Sequence, residues 1–401
     1  MIVYTLLGMF ILWPTQKALI KEGRDIRQDY IGGQRLFRRI DLYSRFSQDE
    51  LANIDVDPEL GMPLNFHPPT TLIFFAPLAL LNFQYAVILW GIISLLAFFA
   101  SIYLIMNELG YLKWFFLSLG LVFWFPLWLH MRFGQFSILI FLFLTLFWLN
   151  VRKNKEFKAS LFLALACLVK IFPLFMLLLM LLKKQWRILI YSLFIIGIVV
   201  VALYLYYPDS IISYLTKVAT ENDEIFRTYF GNFSFNGFVG RLFNGTSGIA
   251  PLFSNGSSET LIRYSGIILI ILLSIVFALR VNNFDLCFSI YIIAMLIVSP
   301  TTWAHSFILL LLPGFFIVYY LFSRSGDWLR KSLFVLVIIL SCIPHWQYYE
   351  WLRTISPMQL LPSWLLFTSP GFYVLASMFV LMFLEGDHFI RSTTQVDKIK
   401  S

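Results

Sequence analysis

Apolar runs separated by short polar or basic stretches follow one another along most of the chain. A membrane-spanning helix needs about 20 mostly apolar residues, so this pattern predicts an all-α, polytopic transmembrane bundle of about ten spans. The predicted runs cover residues 1–14, 85–106, 112–129, 136–149, 159–182, 188–206, 265–279, 284–299, 307–322, 332–343 and 364–384. The first run is short for a span, so either it is thin or tilted, or translation starts upstream.

We interpret residues 1–401 as one integral-membrane domain. Its parts in chain order are the first span (1–15), a long first outer loop (16–83), the remaining spans (84–385) and a cytoplasmic tail (386–401). Clusters of Lys and Arg between the later runs mark the cytoplasmic side, which places both termini inside and the first loop outside. A short apolar segment that contains Pro77, residues 70–81, leads from this loop into the next span.

One predicted run does not fit a simple span, because basic residues flank 159–182 on both sides. Lys170 and Pro173 interrupt this run. Proline breaks a helix, and an ammonium group inside a membrane must face a polar interior. We therefore expect two half-helices that form a re-entrant hairpin with Lys170 near its tip. The alternative is one ordinary span with a misleading basic flank.

Polar motifs with few basic residues fall on the outer face of this topology. The first outer loop is rich in acidic residues, including Asp25, Asp29 and Asp41, and ends in Phe66-His67-Pro68-Pro69. The further motifs on this face are residues 130–135, the long loop 208–263, residues 301–305 and residues 344–363. The orientation follows from the basic residues alone, so the convergence of these polar motifs indicates an active face outside the cytoplasm.

Asp29 is the leading candidate for acid–base chemistry. Apolar residues at positions 30, 36, 37, 40 and 42 suit a helix that lies along the membrane surface. Near the start of that helix, Asp29 would be favoured as an ionised carboxylate. Two alternatives stay open: Asp29 only caps the helix, or Asp25 is the base.

Other polar side chains stand out in the apolar background. Lys170 needs an anion, since a buried ammonium is costly, and a lipid phosphate is a suitable one. Arg132 would bind the same anion, or it would extend its guanidinium group to the membrane interface. His305 opens an apolar helix, either as a satisfied polar group or as part of a site. Amides and aromatic rings in residues 232–241 suit a carbohydrate as well as an ordinary interfacial loop.

Composition excludes several classes of protein. The chain is 59% apolar and 13% charged, whereas soluble domains are about 25% charged. Its net charge of +8 comes from basic clusters between apolar runs, a pattern typical of membrane proteins rather than of nucleic-acid binding. The sequence contains no GxxxxGKS/T or GxGxxG phosphate cradle and no metal-ligand spacing. We therefore expect no cofactor or metal, and a lipid-linked donor for any sugar used on the outer face.

Taken in chain order, these residues resemble the GT-C superfamily of integral-membrane glycosyltransferases. Within it they are most similar to the GT87 family (once DUF2029), which includes α-mannosyltransferases that depend on polyprenyl-phosphate mannose. The matching elements are Asp29-Tyr30, Asp41-Leu42-Tyr43, Phe66-His67-Pro68-Pro69 with Pro77, Gly134-Gln135, Lys170 with Pro173, Asn232-Phe233-Ser234, Asn236-Gly237, Arg241, and Ser299-Pro300 through Trp303 and His305. Two features depart from the family: His67 stands where Tyr usually precedes Pro-Pro, and the first span looks clipped.

The resemblance implies that Asp29 is the catalytic base and that His305 belongs to the active site. The residues expected to bind substrate are Tyr30, Tyr43, His67, Arg132, Gln135, Lys170, Asn232, Asn236, Arg241 and Trp303. It also implies a helical bundle whose outer loops cover a cavity open to lipid and to the outer aqueous side. The expected partners are a polyprenyl-phosphate sugar, a glycolipid or glycan acceptor, and the bilayer.

We therefore expect inverting transfer of a hexose, with mannose implied by the family, to an acceptor hydroxyl outside a bacterial plasma membrane. The alternatives are a lipid-linked-sugar transporter or flippase, and another GT-C branch of the aminoarabinose or protein-O-mannosyl type. The chain has no inverted repeat of the kind that marks many transporters. Asp25 or Asp41 beside Asp29 leaves the other GT-C branches open. The acceptor and the oligomeric state are not encoded in any recognisable motif.

Overall fold

The computed structural model describes residues 24–54, 64–115, 121, 124–246, 249–253, 256–322, 328–342 and 368–400. These residues are mostly helical and form no β-strand, which confirms the all-α prediction. The predicted first span and residues 344–363 lie outside the described residues. The chain divides into two units: unit 1 is Met1–Ile171 with Arg187–Asn222, and unit 2 is Phe172–Trp186 with Asp223–Ser401.

The bounds of the helices follow in chain order. The α-helices are α1 (Arg24–Arg38), α2 (Gln48–Ala52), α3 (Pro69–Phe75), α4 (Phe83–Glu108), α5 (Phe125–Phe133), α6 (Ser137–Arg152), α7 (Glu156–Val169), α8 (Phe175–Leu182), α9 (Trp186–Tyr206), α10 (Pro208–Ser213), α11 (Ala219–Phe226), α12 (Phe235–Asn244), α13 (Gly256–Arg280), α14 (Phe284–Val298), α15 (Leu311–Phe322), α16 (Trp328–Ser341) and α17 (Pro370–Lys400). Short 3₁₀ segments are Leu78–Leu80, Leu112–Trp114, Phe172–Leu174 and Ala304–Leu310, and Tyr214–Val218 is a π-turn. The predicted outer loop 208–263 is thus helical for most of its described length.

Among the described residues, four helical segments are long and apolar enough to cross a bilayer. They are Phe83–Glu108, Trp186–Tyr206, Gly256–Arg280 and Ala304–Leu321. A fifth results if α5 and α6, which meet at a bend of 118°, count as one broken span. The remaining predicted spans correspond to shorter apolar helices or to residues outside the described ranges, so the total of about ten spans stays a prediction.

Apolar side chains on the longest helices face outward. Phe194 and Leu205 on α9 are 65% and 76% exposed, and Leu272 on α13 is 52% exposed. Broad exposed apolar surfaces of this kind are rare on soluble monomers. A surrounding bilayer would cover them, which agrees with the membrane location that the apolar runs indicate.

The predicted run 112–129 is not one helix, which corrects the sequence interpretation. A 3₁₀ turn covers Leu112–Trp114, and α5 begins only at Phe125. Pro126 lies in the first turn of α5, where its missing N–H and fixed φ are tolerated. Apolar content alone therefore did not reveal that a new helix starts within this run.

The break predicted inside 159–182 is present in the structure. Helix α7 ends at Val169, Lys170 is extended with φ −147° and ψ 153°, and Pro173 lies in the following 3₁₀ turn. The break leaves the Lys170 side chain at a helix end, where it can turn toward polar groups. The re-entrant hairpin formed by α7 and α8 remains a prediction.

Close packing of α1 on α3 sets the position of the candidate site in unit 1. Two consecutive glycines, Gly32 and Gly33, lie on the face of α1 that meets this neighbour. A Cβ on Gly33 would lie 2.9 Å from the Ala79 Cβ, and one on Gly32 would clash with Asn65 and Leu72. Glycine inside a helix costs stability relative to alanine, so close backbone approach explains its presence here.

An ion-paired arginine closes the polar turn after α1. The Arg35 guanidinium donates to both carboxylate oxygens of Glu50 at 2.7 Å and to the carbonyls of Asp41, Ser44 and Arg45. Ser47 and Glu50 also form a capping box at the start of α2. Part of the acidic block between α1 and α3 is therefore structural.

We predict that Glu50→Gln destabilises unit 1 by about 1–3 kcal/mol, because the Arg35 guanidinium loses its charged partner. Hydrogen bonds from Arg35 lower the pKa of Glu50 from 4.5 to about 2. This contribution to stability is therefore complete above pH 4.5 and is lost as the pH falls toward 2. Thermal unfolding of the detergent-solubilised protein at neutral pH tests the effect. The exposed neighbour Asp49→Asn is the control, and an equal loss in both variants would contradict the prediction.

Candidate active site

Asp29 lies in the body of α1 rather than at its start. The helix is already formed at Arg24, so Asp29 is not an N-cap, and the capping interpretation is wrong. The Asp29 side chain is completely buried. Asp25 lies one turn earlier on the same helix face, because residues four apart are neighbours on a helix surface.

The carboxylate of Asp29 is anchored by the imidazole of His67. The His67 Nδ1 atom lies 2.7 Å from Asp29 Oδ1. The other carboxylate oxygen, Oδ2, is buried and has no hydrogen-bond partner among the described residues. A buried polar atom without a partner is costly. The Oδ2 atom therefore indicates that the carboxylate binds a ligand there, and a carboxylate oxygen binds a hydrogen-bond donor.

The backbone of His67 is held from both sides. Its N–H donates to Asn65 Oδ1 at 2.8 Å, and its carbonyl accepts from the Tyr43 hydroxyl at 3.2 Å. The ring packs edge-on against Phe136, with centroids 5.8 Å apart. Pro69 then starts α3 directly after the His67-Pro68 segment. These contacts restrict the orientation of the imidazole.

A second polar chain runs through Gln135. Its amide nitrogen donates to the Asp25 carboxylate in a very short contact, and its Oε1 accepts from Lys170 Nζ at 3.2 Å. Gly134, in the left-handed conformation at φ +69°, makes the turn between α5 and α6 that presents Gln135. A Cβ there would also lie 2.6 Å from the Ile26 Cβ, so only glycine fits.

Acidic and basic side chains lie close together around Asp25 in unit 1. Burial raises the pKa of Asp25, and the nearby Asp29 carboxylate raises it further. His67, the Gln135 hydrogen bond and Lys170 act in the opposite direction. The two carboxylates also differ in their contacts: Asp25 is bonded to Gln135, whereas Asp29 keeps one oxygen without a partner among the described residues.

Three further predicted substrate residues of unit 1 make contacts with protein. Tyr30 donates its hydroxyl to the Leu81 carbonyl at 2.6 Å and packs edge-on against Phe83. Tyr43 supports His67, as described above. Arg132 is partly buried on α5, with its guanidinium carbon 5.1 Å from the centroid of a Trp128 ring. Direct substrate contacts of these residues remain predictions.

In unit 2, the amides predicted to bind carbohydrate converge on one backbone carbonyl. The Pro300 oxygen accepts from Asn232 Nδ2 at 3.0 Å, from Ser234 Oγ at 3.1 Å and from Asn236 Nδ2 at 3.0 Å. Asn232 Oδ1 in turn accepts from the Thr302 N–H at 3.0 Å. Residues 232–236 and residues 300–302, which are far apart in the sequence, are therefore hydrogen-bonded to each other. The amides hold the segment before His305 in place.

Arg241 is buried and engaged with protein acceptors. Its Nη1 donates to the carbonyls of Tyr229 and Asn232 at 2.7 and 2.8 Å. Nε and Nη2 donate to Ser369 Oγ at 3.2 and 2.6 Å. This many protein contacts leave the guanidinium little hydrogen-bonding capacity for a substrate, and the substrate-binding role that the family resemblance implies for Arg241 stays a prediction.

His305 and Trp303 flank the start of an unusually long 3₁₀ helix. His305 is 4% exposed and is the second residue of the segment Ala304–Leu310. Runs of 3₁₀ helix longer than about four residues are uncommon and often mark functional or strained positions. The Trp303 ring packs against Phe226 and Tyr229, with centroids 5.2 and 5.4 Å apart.

Sequence reasoning missed Asn65, which no pattern in the chain marks. It is completely buried and connects His67 to α1. Its one connection to the predicted residues in the sequence is its position two residues before His67. Among the described residues, no three His, Cys, Asp or Glu side chains are arranged to hold a metal ion.

An apolar, all-helical protein with a buried carboxylate, an imidazole and an ammonium group in one cluster has the groups that a membrane-embedded enzyme needs for acid–base chemistry. The family model of glycosyltransferase family 87 matches residues 65–300, more than half of the chain. The chain belongs to glycosyltransferase family 87 and is a glycosyltransferase. No curated protein and no solved structure matches it significantly. Asp29 and His305 lie outside the matched segment.

We predict that Arg241→Lys lowers the free energy of unfolding of unit 2 by about 3 kcal/mol, because one ammonium cannot replace the several hydrogen bonds of the guanidinium. Thermal melting and expression yield measure the effect. Arg280→Lys, at the exposed end of α13, is the matched control. If Arg241→Lys keeps full stability and loses only donor affinity, the structural role is contradicted and Arg241 binds substrate as the family resemblance implies.

Proposed function

We propose that this glycosyltransferase moves a hexose, mannose in the first instance, from a polyprenyl phosphate to an acceptor hydroxyl on the extracytoplasmic face of a bacterial plasma membrane. The observation that carries this proposal is the Asp29 carboxylate. One of its oxygens is bonded to His67, and the other has no partner among the described residues. A fixed carboxylate with an unoccupied oxygen suits a general base.

The reaction is a single displacement. The acceptor oxygen attacks the anomeric carbon while Asp29 takes the hydroxyl proton. The bond from the anomeric carbon to the phosphate oxygen breaks, and polyprenyl phosphate leaves with the electron pair. Attack opposite to the leaving group inverts the configuration at the anomeric carbon.

The leaving group needs positive charge more than it needs a proton, since a phosphate already stabilises its electron pair. Lys170 supplies such a charge in unit 1, at the break after α7 and 3.2 Å from Gln135 Oε1. A cation preorganised in an apolar environment stabilises developing negative charge more strongly than water does. The contact with Gln135 orients the ammonium and leaves its other N–H groups for phosphate oxygens.

A lipid-linked donor agrees with the exposed apolar helices. Helices α9 and α13 present apolar side chains on their outer surfaces, which suits a substrate that reaches the enzyme from the bilayer. The basic clusters between the apolar runs support an extracytoplasmic active face. Tyr30 and Tyr43 would shape the site in unit 1. For unit 2, the family resemblance implies substrate contacts of Asn232, Asn236, Trp303 and His305, and these are proposals for that unit by itself.

We predict that Asp29→Asn lowers hexose transfer by at least about 10²-fold, because the amide cannot accept the acceptor proton. The assay uses nanodisc-reconstituted protein, radiolabelled polyprenyl-phosphate mannose and a membrane lipid extract. Asp25→Asn is the matched comparison one turn away, and we expect a smaller loss because Asp25 is already bonded to Gln135.

Full activity of Asp29→Asn together with an inactive Asp25→Asn would move the base to Asp25. If wild type forms no labelled product but moves the donor across the bilayer, the proposal fails in favour of a flippase.

A further inference from the structure

A closed ring of hydrogen bonds fastens the loop before α3 to α1. Asn65 Nδ2 donates to the Gln28 carbonyl at 3.4 Å, and Asn65 Oδ1 accepts from the His67 N–H at 2.8 Å. His67 Nδ1 then meets Asp29 Oδ1 at 2.7 Å. Since Gln28 and Asp29 are consecutive, the three contacts close on one point of α1.

We infer that Asn65 and His67 form a positioning clamp, which determines which oxygen of Asp29 faces the acceptor. This inference rests on the proposed role of Asp29 as base. The clamp holds Oδ1 and leaves Oδ2 for the hydroxyl proton. A carboxylate that can turn about its own axis would offer either oxygen, or neither, in the direction of attack.

The surroundings keep the clamp rigid. Asn65 and Asp29 are completely buried, and the His67 side chain is 13% exposed. The Tyr43 hydroxyl holds the His67 carbonyl from the other side. Gly32 leaves the space that the Asn65 amide occupies, because a Cβ there would clash with its Nδ2. The amide therefore sits against a helix surface that only glycine provides.

The contact with a carboxylate identifies the imidazole nitrogen that donates the hydrogen bond. A carboxylate that acts as a base is ionised and only accepts hydrogen bonds, so the proposed role of Asp29 requires Nδ1 of His67 to carry the proton that it donates to Asp29. Nε2 makes no hydrogen bond among the described residues. His67 thus acts through Asp29 and is a positioning residue.

Variants of His67 that differ in where they place an amide test the clamp. His67→Asn puts an amide nitrogen at the position of Nδ1, whereas His67→Gln extends it by one bond to the position of Nε2. We expect His67→Ala, His67→Gln and Asn65→Ala to lose about 10²-fold in kcat, with KM for donor and acceptor unchanged within about twofold, because misplacing a reacting group by about 1 Å costs this much. We expect kcat of His67→Asn to lie within about tenfold of the wild-type value, because its amide nitrogen takes the position of Nδ1.

A double-mutant cycle separates positioning from loss of structure. If the clamp works only through the Asp29 carboxylate, His67→Ala in an Asp29→Asn background lowers the residual rate no further. Melting temperatures of all variants are measured in parallel, and the stability-matched pair His67→Asn and His67→Gln keeps the test valid if His67→Ala does not fold.

Two outcomes overturn the clamp, and a third overturns the proposed function. Wild-type kcat in His67→Gln and Asn65→Ala, with Asp29→Asn inactive, would overturn the clamp and leave the proposed function standing. Equal losses in His67→Asn and His67→Gln would also overturn it, because the position of the donor would then be irrelevant. An active Asp29→Asn overturns the proposed function itself.

Discussion

The contact between Asp29 and His67 is the interaction on which the candidate site depends. A carboxylate that is removed from water is costly unless a donor compensates it, and Asp29 is completely buried. The donor comes from a loop 38 residues away, so this loop must lie against α1. Gly32, Gly33 and the two prolines after His67 are the local features that make this approach possible.

The same requirement explains the polar residues of unit 2. Inside an apolar protein, an amide or guanidinium group needs a hydrogen-bond partner, and the partners here include backbone carbonyls, the Ser369 hydroxyl and the Asp223 carboxylate. Asn232 and Asn236 converge on Pro300, and Arg241 bonds to Tyr229, Asn232 and Ser369. Polar residues that looked like ligands for sugar or phosphate are thus structural first. Any contact with substrate would have to use what remains of their hydrogen-bonding capacity.

Several features were predictable because they depend on residues close in sequence. Long apolar runs indicate helices whatever their neighbours are, and α4 and α9 match their predicted runs to within two residues, whereas α13 begins nine residues before its run. Lys170 and Pro173 break a helix for local reasons, and the break is present. The start of α5 and the true position of Asp29 within α1 were not predictable. Helix boundaries depend on caps and on packing that an apolar pattern does not encode.

By itself, the sequence determined an all-helical membrane protein and its family, and it supplied the candidate polar residues. Tertiary structure decided which of these residues meet. Gln135 reaches Asp25 across 110 residues and Lys170 across 35, while Asn65 entered the site without any motif. Such contacts depend on how helices pack, since burial leaves each polar group only the partners that the fold brings within about 3 Å. No periodicity along a single segment records that geometry.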